Sequence, residues 1–215
     1  MNVASMIARL SATGAAVLAT GCAGGMTSAE CAGADWTALG LADGAAGAHD
    51  KLFEERSKDC AGEGAAPDAE AYRAARAQGL QSYCSPEGGF AAGRAGGEYE
   101  DVCPADAEPA FLASFDLGAK LRALTLAREK AVETYETALA DLDQHHYLLG
   151  VAEKRYAKPS ISNEDRESER QDMEYRQREI VRIENDLPKL LDEIENSRAA
   201  LEAFEAELKA EGRSF

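Results

Sequence analysis

From Leu121 to Tyr156, positions three and four residues apart read Leu, Leu, Arg, Ala, Tyr, Ala, Leu, His, Leu, Ala, Tyr. From Met173 to Leu208 the same spacing reads Met, Arg, Ile, Ile, Leu, Leu, Ile, Ser, Leu, Phe, Leu. An alternation of three and four is the heptad of packed helices, so this half of the chain has little choice but long helices sharing a seam. Lys158-Pro159-Ser160 interrupts the pattern, and Ser162-Asn163-Glu164-Asp165 follows as a helix cap with acids in the first turn. An antiparallel helical hairpin over 119–215 is therefore expected. Folded about residue 164, it sets Leu121 against Leu208, Tyr135 against Ile194 and Leu149 against Ile180. Such an arm is about 50 Å long at about 1.5 Å per residue. Pro188 is expected to kink the second helix. A parallel dimer through 173–208 is the alternative, and the short connection favours the internal partner.

The N-terminus has a different texture. Arg9 gives a positive start, Leu10 to Thr20 is apolar or small, and no acid occurs before Cys22. The run is too short for a permanent bilayer span and reads as an export signal over residues 1–21. Its end, Ala19-Thr20-Gly21-Cys22, resembles the bacterial lipoprotein cleavage box, which implies acylation (palmitate among the chains) of Cys22. No Asp follows Cys22, and in such lipoproteins that implies the outer membrane. Residues 22–30 then form a tether.

With Cys22 set aside, Cys31, Cys60, Cys84 and Cys103 remain, an even set in a chain read as exported. Three pairings exist. Cys31–Cys60 with Cys84–Cys103 is favoured, because each closes a short loop holding its own glycine cluster, and each loop stabilises by roughly 3–4 kcal/mol. The spacings contain no CxxC, which argues against a metal site.

Glycine spacing shapes the region between the cysteines. Trp36, Gly40, Gly44 and Gly47 share one face if the segment is helical. Pro67-Asp68 signals a helix that runs through Tyr72, Arg76 and Leu80 to Tyr83. Ser85-Pro86-Glu87 opens another, which Gly96-Gly97 ends. Cys103-Pro104 is a break, and helix resumes near Pro109. There Phe111, Phe115 and Gly118 repeat the spacing of Tyr72, Arg76 and Gly79. Short helices crossing at glycine notches around a small core are expected. The fold class is all-α: a small disulfide-stapled bundle of glycine-rich helices over 31–118, followed by the coiled-coil hairpin over 119–215.

Two stretches, CAGADWTALGLADGAAG and YRAARAQGLQSYCSPEGGFAAGRAGGEYEDVCPADAEPAFLASFDLG, resemble the bacterial lipoprotein family described as domain of unknown function 2799. The likeness covers roughly residues 31–118. Ala75 departs from it, since the family usually has glycine before the position of Arg76. The resemblance implies an envelope location and a fold, and lends no catalytic residues.

The formal charge of −16 argues against nucleic acid and against adhesion to anionic lipid through a basic patch. No phosphate loop, Gly-x-Ser-x-Gly or His-Glu-x-x-His motif is present. His145 falls on the heptad seam, and with His146 it does not make the i, i+4 pair of a metal site. No cofactor and no catalytic residue is indicated. Two functions fit: a lipid-anchored periplasmic protein whose arm meets a protein partner or another copy, or a binding module for a small envelope glycan or peptide fragment. In the second, Trp36 and Tyr83 stack on the ligand while Asp43 and Arg76 contact its polar groups.

Overall fold

A computed structural model describes residues 25–62 and 66–213. The expected export signal and Cys22 lie outside the described residues. Among those described, the secondary structure is helical: α1 (Ser28–Ala32), α2 (Trp36–Ala45), α3 (Leu52–Asp59), α4 (Ala69–Tyr83), α5 (Pro86–Ala95), α6 (Glu108–Tyr156) and α7 (Asn163–Ala210).

Five of these seven helices begin where polar side chains satisfy free backbone N–H groups. Thr27 and Glu30 form a reciprocal capping box on α1. Asp35, Asp68, Ser85 and Ser162 cap α2, α4, α5 and α7 by accepting from the third residue onward. Pro86 sits in the first turn of α5, whereas Pro67 precedes the cap of its helix rather than entering it.

Two helix pairs form the body, and they are built alike. In the first, a β-carbon on Gly40 or Gly44 of α2 would overlap the carbonyl oxygen of Tyr72 or Arg76 in α4, and one on Gly79 would overlap that of Leu41. In the second, Gly89 and Gly93 of α5 meet the carbonyls of Phe111 and Phe115 in α6, and Gly118 meets that of Phe90. Gly40, Gly44 and Gly47 thus correspond at one constant offset to Gly89, Gly93 and Gly96. Tyr72, Gly79 and Tyr83 correspond at another to Phe111, Gly118 and Arg122. Even the helix ends agree. Gly47 and Gly96 both have positive φ, +67° and +78°, and each begins a turn in which the next N–H returns to a carbonyl one turn back, Ala48 to Asp43 and Gly97 to Ala92. Tyr83 lies over Gly47, and Arg122 lies over Gly96. The architecture is therefore a duplicated, glycine-notched helix pair. Gly47, expected on the helical face of Trp36, is the left-handed residue just past the end of α2.

One disulfide ties α1 to the end of α3, and the other ties the end of α4 to the loop before α6. Cys31 joins Cys60, and Cys84 joins Cys103, which is the favoured pairing of the three. The first staple closes a core of Trp36 and Tyr72 with Met26 and Phe53 against it. The second closes a core of Tyr83 and Phe111, flanked by Tyr99, Val102 and Phe115. Tyr99 accepts from the Cys103 N–H and donates to Glu108, holding the loop before α6.

The texture change at Gly118 is not a break. α6 runs unbroken from the second notch into the arm, and Gly118 sits inside it because the carbonyl of Phe90 needs the space. α7 returns antiparallel and docks its last turns on the second pair, where Phe204 and Leu208 pack with Phe90 and Leu121. Lys120 lies over the Phe204 ring, and Arg213 bonds Ser114 beside Phe90. The hairpin is intramolecular, as the short connection favoured.

At the base Leu121 packs in one cluster with Leu208, as expected, and with Phe204, while further out the contacts fall nearer the loop than expected. His145, expected opposite Ile183, faces Arg176 at 3.5 Å and meets the ring of Tyr175. Tyr156, expected opposite Met173, accepts from Arg166 through its carbonyl at 2.9 Å. The chain reverses between Tyr156 and Asn163, which lies before residue 164, so α7 is drawn toward the loop. Pro188 is accommodated inside α7, on its exposed side.

Candidate functional site

The two helix pairs share a backbone plan but not their polar residues. At the positions where the second pair has Ala92, Phe111 and Phe115, the first has Asp43, Tyr72 and Arg76. The scaffold therefore folds without this polar set, and the first pair carries it for something the second lacks. Asp43, one of two buried polar residues among those described, accepts from the Tyr72 hydroxyl at 2.7 Å and faces the Arg56 guanidinium at 2.8 Å. Arg56 belongs to α3, an element that the second pair does without. Arg76 donates to the Ala48 carbonyl at 2.6 Å and pairs with Asp50 at 2.6 Å. The network thus straps α3 and the loop after α2 to the notched pair. Burial, and then the bond to Asp43, pushes the Tyr72 hydroxyl far above the ordinary tyrosine range.

Beside these straps lies a cleft of about 630 Å³, bordered by His49, Lys51, Glu55, Arg76, Glu100 and Asp101. Asp101 adopts a left-handed conformation, φ 53°. His49 Nδ1 and Arg76 Nε are buried without a hydrogen-bond partner. A second cavity of about 820 Å³ lies where α5 meets the end of α7, between Glu87, Phe90, Arg94 and Arg213.

The four residues singled out for ligand contact are distributed differently from the expectation. Trp36 is buried, with Phe53 and Tyr72 edge-on to it at 5.6 and 6.4 Å. Tyr83 is buried between Gly47 and Phe111, its ring centroid 4.9 Å from that of Phe111. Tyr83 also borders a cavity of about 340 Å³ between the ends of α2 and α5. Asp43 bonds Tyr72 and Arg56, whereas Arg76 bonds the Ala48 carbonyl and Asp50, and Arg76 alone of the four borders the cleft. Arg56, Asp50 and the Tyr72 hydroxyl escaped the sequence reading. The signal that could have found them was the duplication itself: aligning the two glycine sets exposes Asp43, Tyr72 and Arg76 as the polar differences. No group of three or more His, Cys, Asp or Glu able to hold a metal occurs among the described residues. No helix among them is long and apolar enough to cross a membrane.

The arm offers the other surface. Its seam is buried at Leu121, Phe204 and Leu208 near the base and at Ala152, Ile180 and Ile183 further out. Between these two regions the seam side chains are half-buried, because two helices alone cover only one side of each other.

No curated protein and no solved structure gives a significant match. Residues 35–120, which span both glycine-notched pairs up to the first turns of the arm, match the model of the family described as protein of unknown function (DUF2799).

Proposed function

We propose that this is a lipid-anchored envelope protein, held through acylated Cys22 at the outer membrane on its periplasmic side, whose arm meets a protein partner or another copy. The observation that carries the reading is the continuity of α6. One helix is both the second notched partner of the stapled body and the first helix of the arm, and α7 returns to dock on the same pair. A projection joined in this way is held at a fixed angle to its body, which suits a protein that presents a surface at a distance. Two disulfides in a body of this size suit an oxidising compartment. Residues 1–21 direct export and are removed, and acylated Cys22 supplies the anchor. Met26 donates its N–H to Asp59 and packs on Cys60, so the tether, expected to run to residue 30, becomes part of the folded body from Met26 onward.

Two experiments test the reading. Cys22→Ala should release the protein from the membrane fraction, and retention there rejects the anchor. Removing matched heptads from both arm helices (128–141 and 182–195) keeps the base intact. It should abolish crosslinks that the full arm makes in intact cells, and persistence of those crosslinks rejects the arm.

A second reading, a site for a small envelope ligand, is favoured by one observation: Arg76 of the first pair, where the second has Phe115, borders the cleft together with its partner Asp50. It predicts that glycan or peptide fragments raise the melting temperature, and that Arg76→Met removes the rise. Fragments that leave both proteins unmoved reject it.

A further inference from the structure

The two sides of the arm differ, and the difference identifies a partner. Leu139 of α6 and Leu191 of α7 are 40% and 46% exposed. Each directly follows a seam position, Ala138 and Leu190. Helical geometry then sets both on the same side of the hairpin, opposite the side of Asp141 and Asp186. Half-buried Val132, Tyr135, Leu187 and Ile194 extend that apolar strip along the middle of the arm.

The opposite side is a groove of about 460 Å³ with Ile183 and Leu190 in its lining beside Thr134, Thr137, Lys130 and Arg182. Its cations are matched within the chain, Arg182 with Glu179 at 2.7 Å, Lys189 with Asp186 at 3.1 Å and Lys130 with Glu133 at 2.9 Å, while Asp141 and Glu193 stand without a pair among the described residues. On the leucine side the heptad places Glu136 and Asp143 of α6 and Glu184 and Glu195 of α7. All four are exposed, and none makes a hydrogen bond or ion pair among the described residues. An apolar strip between unpaired carboxylates is the complement of a helix with leucine-like residues on one face and lysine or arginine along its edges.

We infer that the Leu139–Leu191 face of the arm binds a basic amphipathic helix of a partner protein. The inference deepens the reading of the arm as a binding element and is independent of the anchor. A second copy is disfavoured as occupant, because it would bring the same four carboxylates against themselves. Seating the partner completes the seam that the two helices leave half-covered, and its cations meet carboxylates that have no other partner.

The test uses the chain with Cys22→Ser and two synthetic 21-residue heptad peptides, one of leucine and lysine, the other of leucine and glutamate. The lysine peptide should bind saturably at one per chain, and the glutamate peptide should not bind. Leu139→Glu with Leu191→Glu changes exposed positions, so circular dichroism should be unaltered while affinity falls by at least about tenfold. Glu136→Lys with Glu184→Lys should weaken binding similarly, whereas Glu193→Lys on the opposite side should change it less than about twofold. Equal binding of both peptides, no saturable binding, or indifference to the leucine variants overturns the inference. So does a dimer of the unliganded chain that Leu139→Glu dissolves, since a second copy would then be the occupant. If the shortened arm abolishes crosslinks in cells while the lysine peptide fails to bind, this chemistry falls and the arm reading stands.

Discussion

The backbone of Gly93 in α5 lies directly against the carbonyl oxygen of Phe115 in α6, with no room between them for a β-carbon. Backbone, not a flexible side chain, fills that space, so the site cannot yield without separating the helices. Gly93→Ala should cost about 1–3 kcal/mol or more from overpacking. Gly150, in the same α6 but with nothing near its missing side chain, provides the contrast. Gly150→Ala should stabilise by about 0.5–1 kcal/mol, since only backbone entropy is at stake. Urea unfolding of the two variants checks both signs.

The Asp43 network should show coupling. Tyr72→Phe leaves Asp43 with Arg56, and at about 1 kcal/mol the loss is that of one buried hydrogen bond. Asp43→Ala strands both Tyr72 and Arg56 and should cost about 2–3 kcal/mol. In a double-mutant cycle the two should not add, because the second substitution removes a group that has already lost its partner. Additive losses would mean that the two residues act separately.

High pH should destabilise the fold through its tyrosines. Burial raises the hydroxyls of Tyr72, Tyr83 and Tyr99 above their ordinary value, with Asp43 adding to the effect at Tyr72 and Glu100 at Tyr83. For a raised folded value, stability is complete below the unfolded value of about 10 and is lost as pH rises beyond it, because the unfolded chain then releases protons that the folded chain retains. Melting temperature should thus fall above about pH 10, and Tyr72→Phe should flatten that fall. An unchanged slope in the variant would contradict the assignment.

The return of α7 to the body can be measured directly. Phe204 and Leu208 are buried against Phe90 and Leu121, so Phe204→Ala should cost about 3–5 kcal/mol. Hydrogen exchange in the last turns of α7 should accelerate well before exchange at Ile180 and Ile183, which have their own burial further along the arm. Uniform acceleration throughout α7 would argue that the arm opens as one unit.

Much of this architecture is legible in the residues, and the failures have physical causes. The disulfide pairing could be read because short loops with their own glycines leave little alternative geometry. The notches could be read because glycines at i and i+4 on a helical face have few uses besides close backbone approach. The hairpin could be read as far as Leu121 beside Leu208, but not its contacts near the loop, because the connecting loop, not the heptad strip, decides where the reversal falls. Trp36 and Tyr83 invited a ligand reading as aromatics in a glycine-rich setting. That setting explains them differently: a glycine with positive φ at Gly47 leaves a backbone surface for Tyr83 to cover, and Trp36 seals the first staple. α3 escaped because its eight residues contribute no fully buried side chain. It is held by Arg56 reaching Asp43, a contact that no periodicity announces. Leu117 and Leu121 pack under α7, while their counterparts in the first pair, Gln78 and Ser82, carry no such cover. The two pairs thus record in sequence which of them supports the arm.

The central claim is that the chain is exported, acylated at Cys22 and stapled twice. Non-reducing peptide mass spectrometry of protein taken from native membranes tests it in one measurement. The account predicts an N-terminal peptide that begins at acylated Cys22, together with Cys31–Cys60 and Cys84–Cys103 linked peptides. An unprocessed Met1 peptide with Cys22 unmodified and the other four thiols free would contradict it.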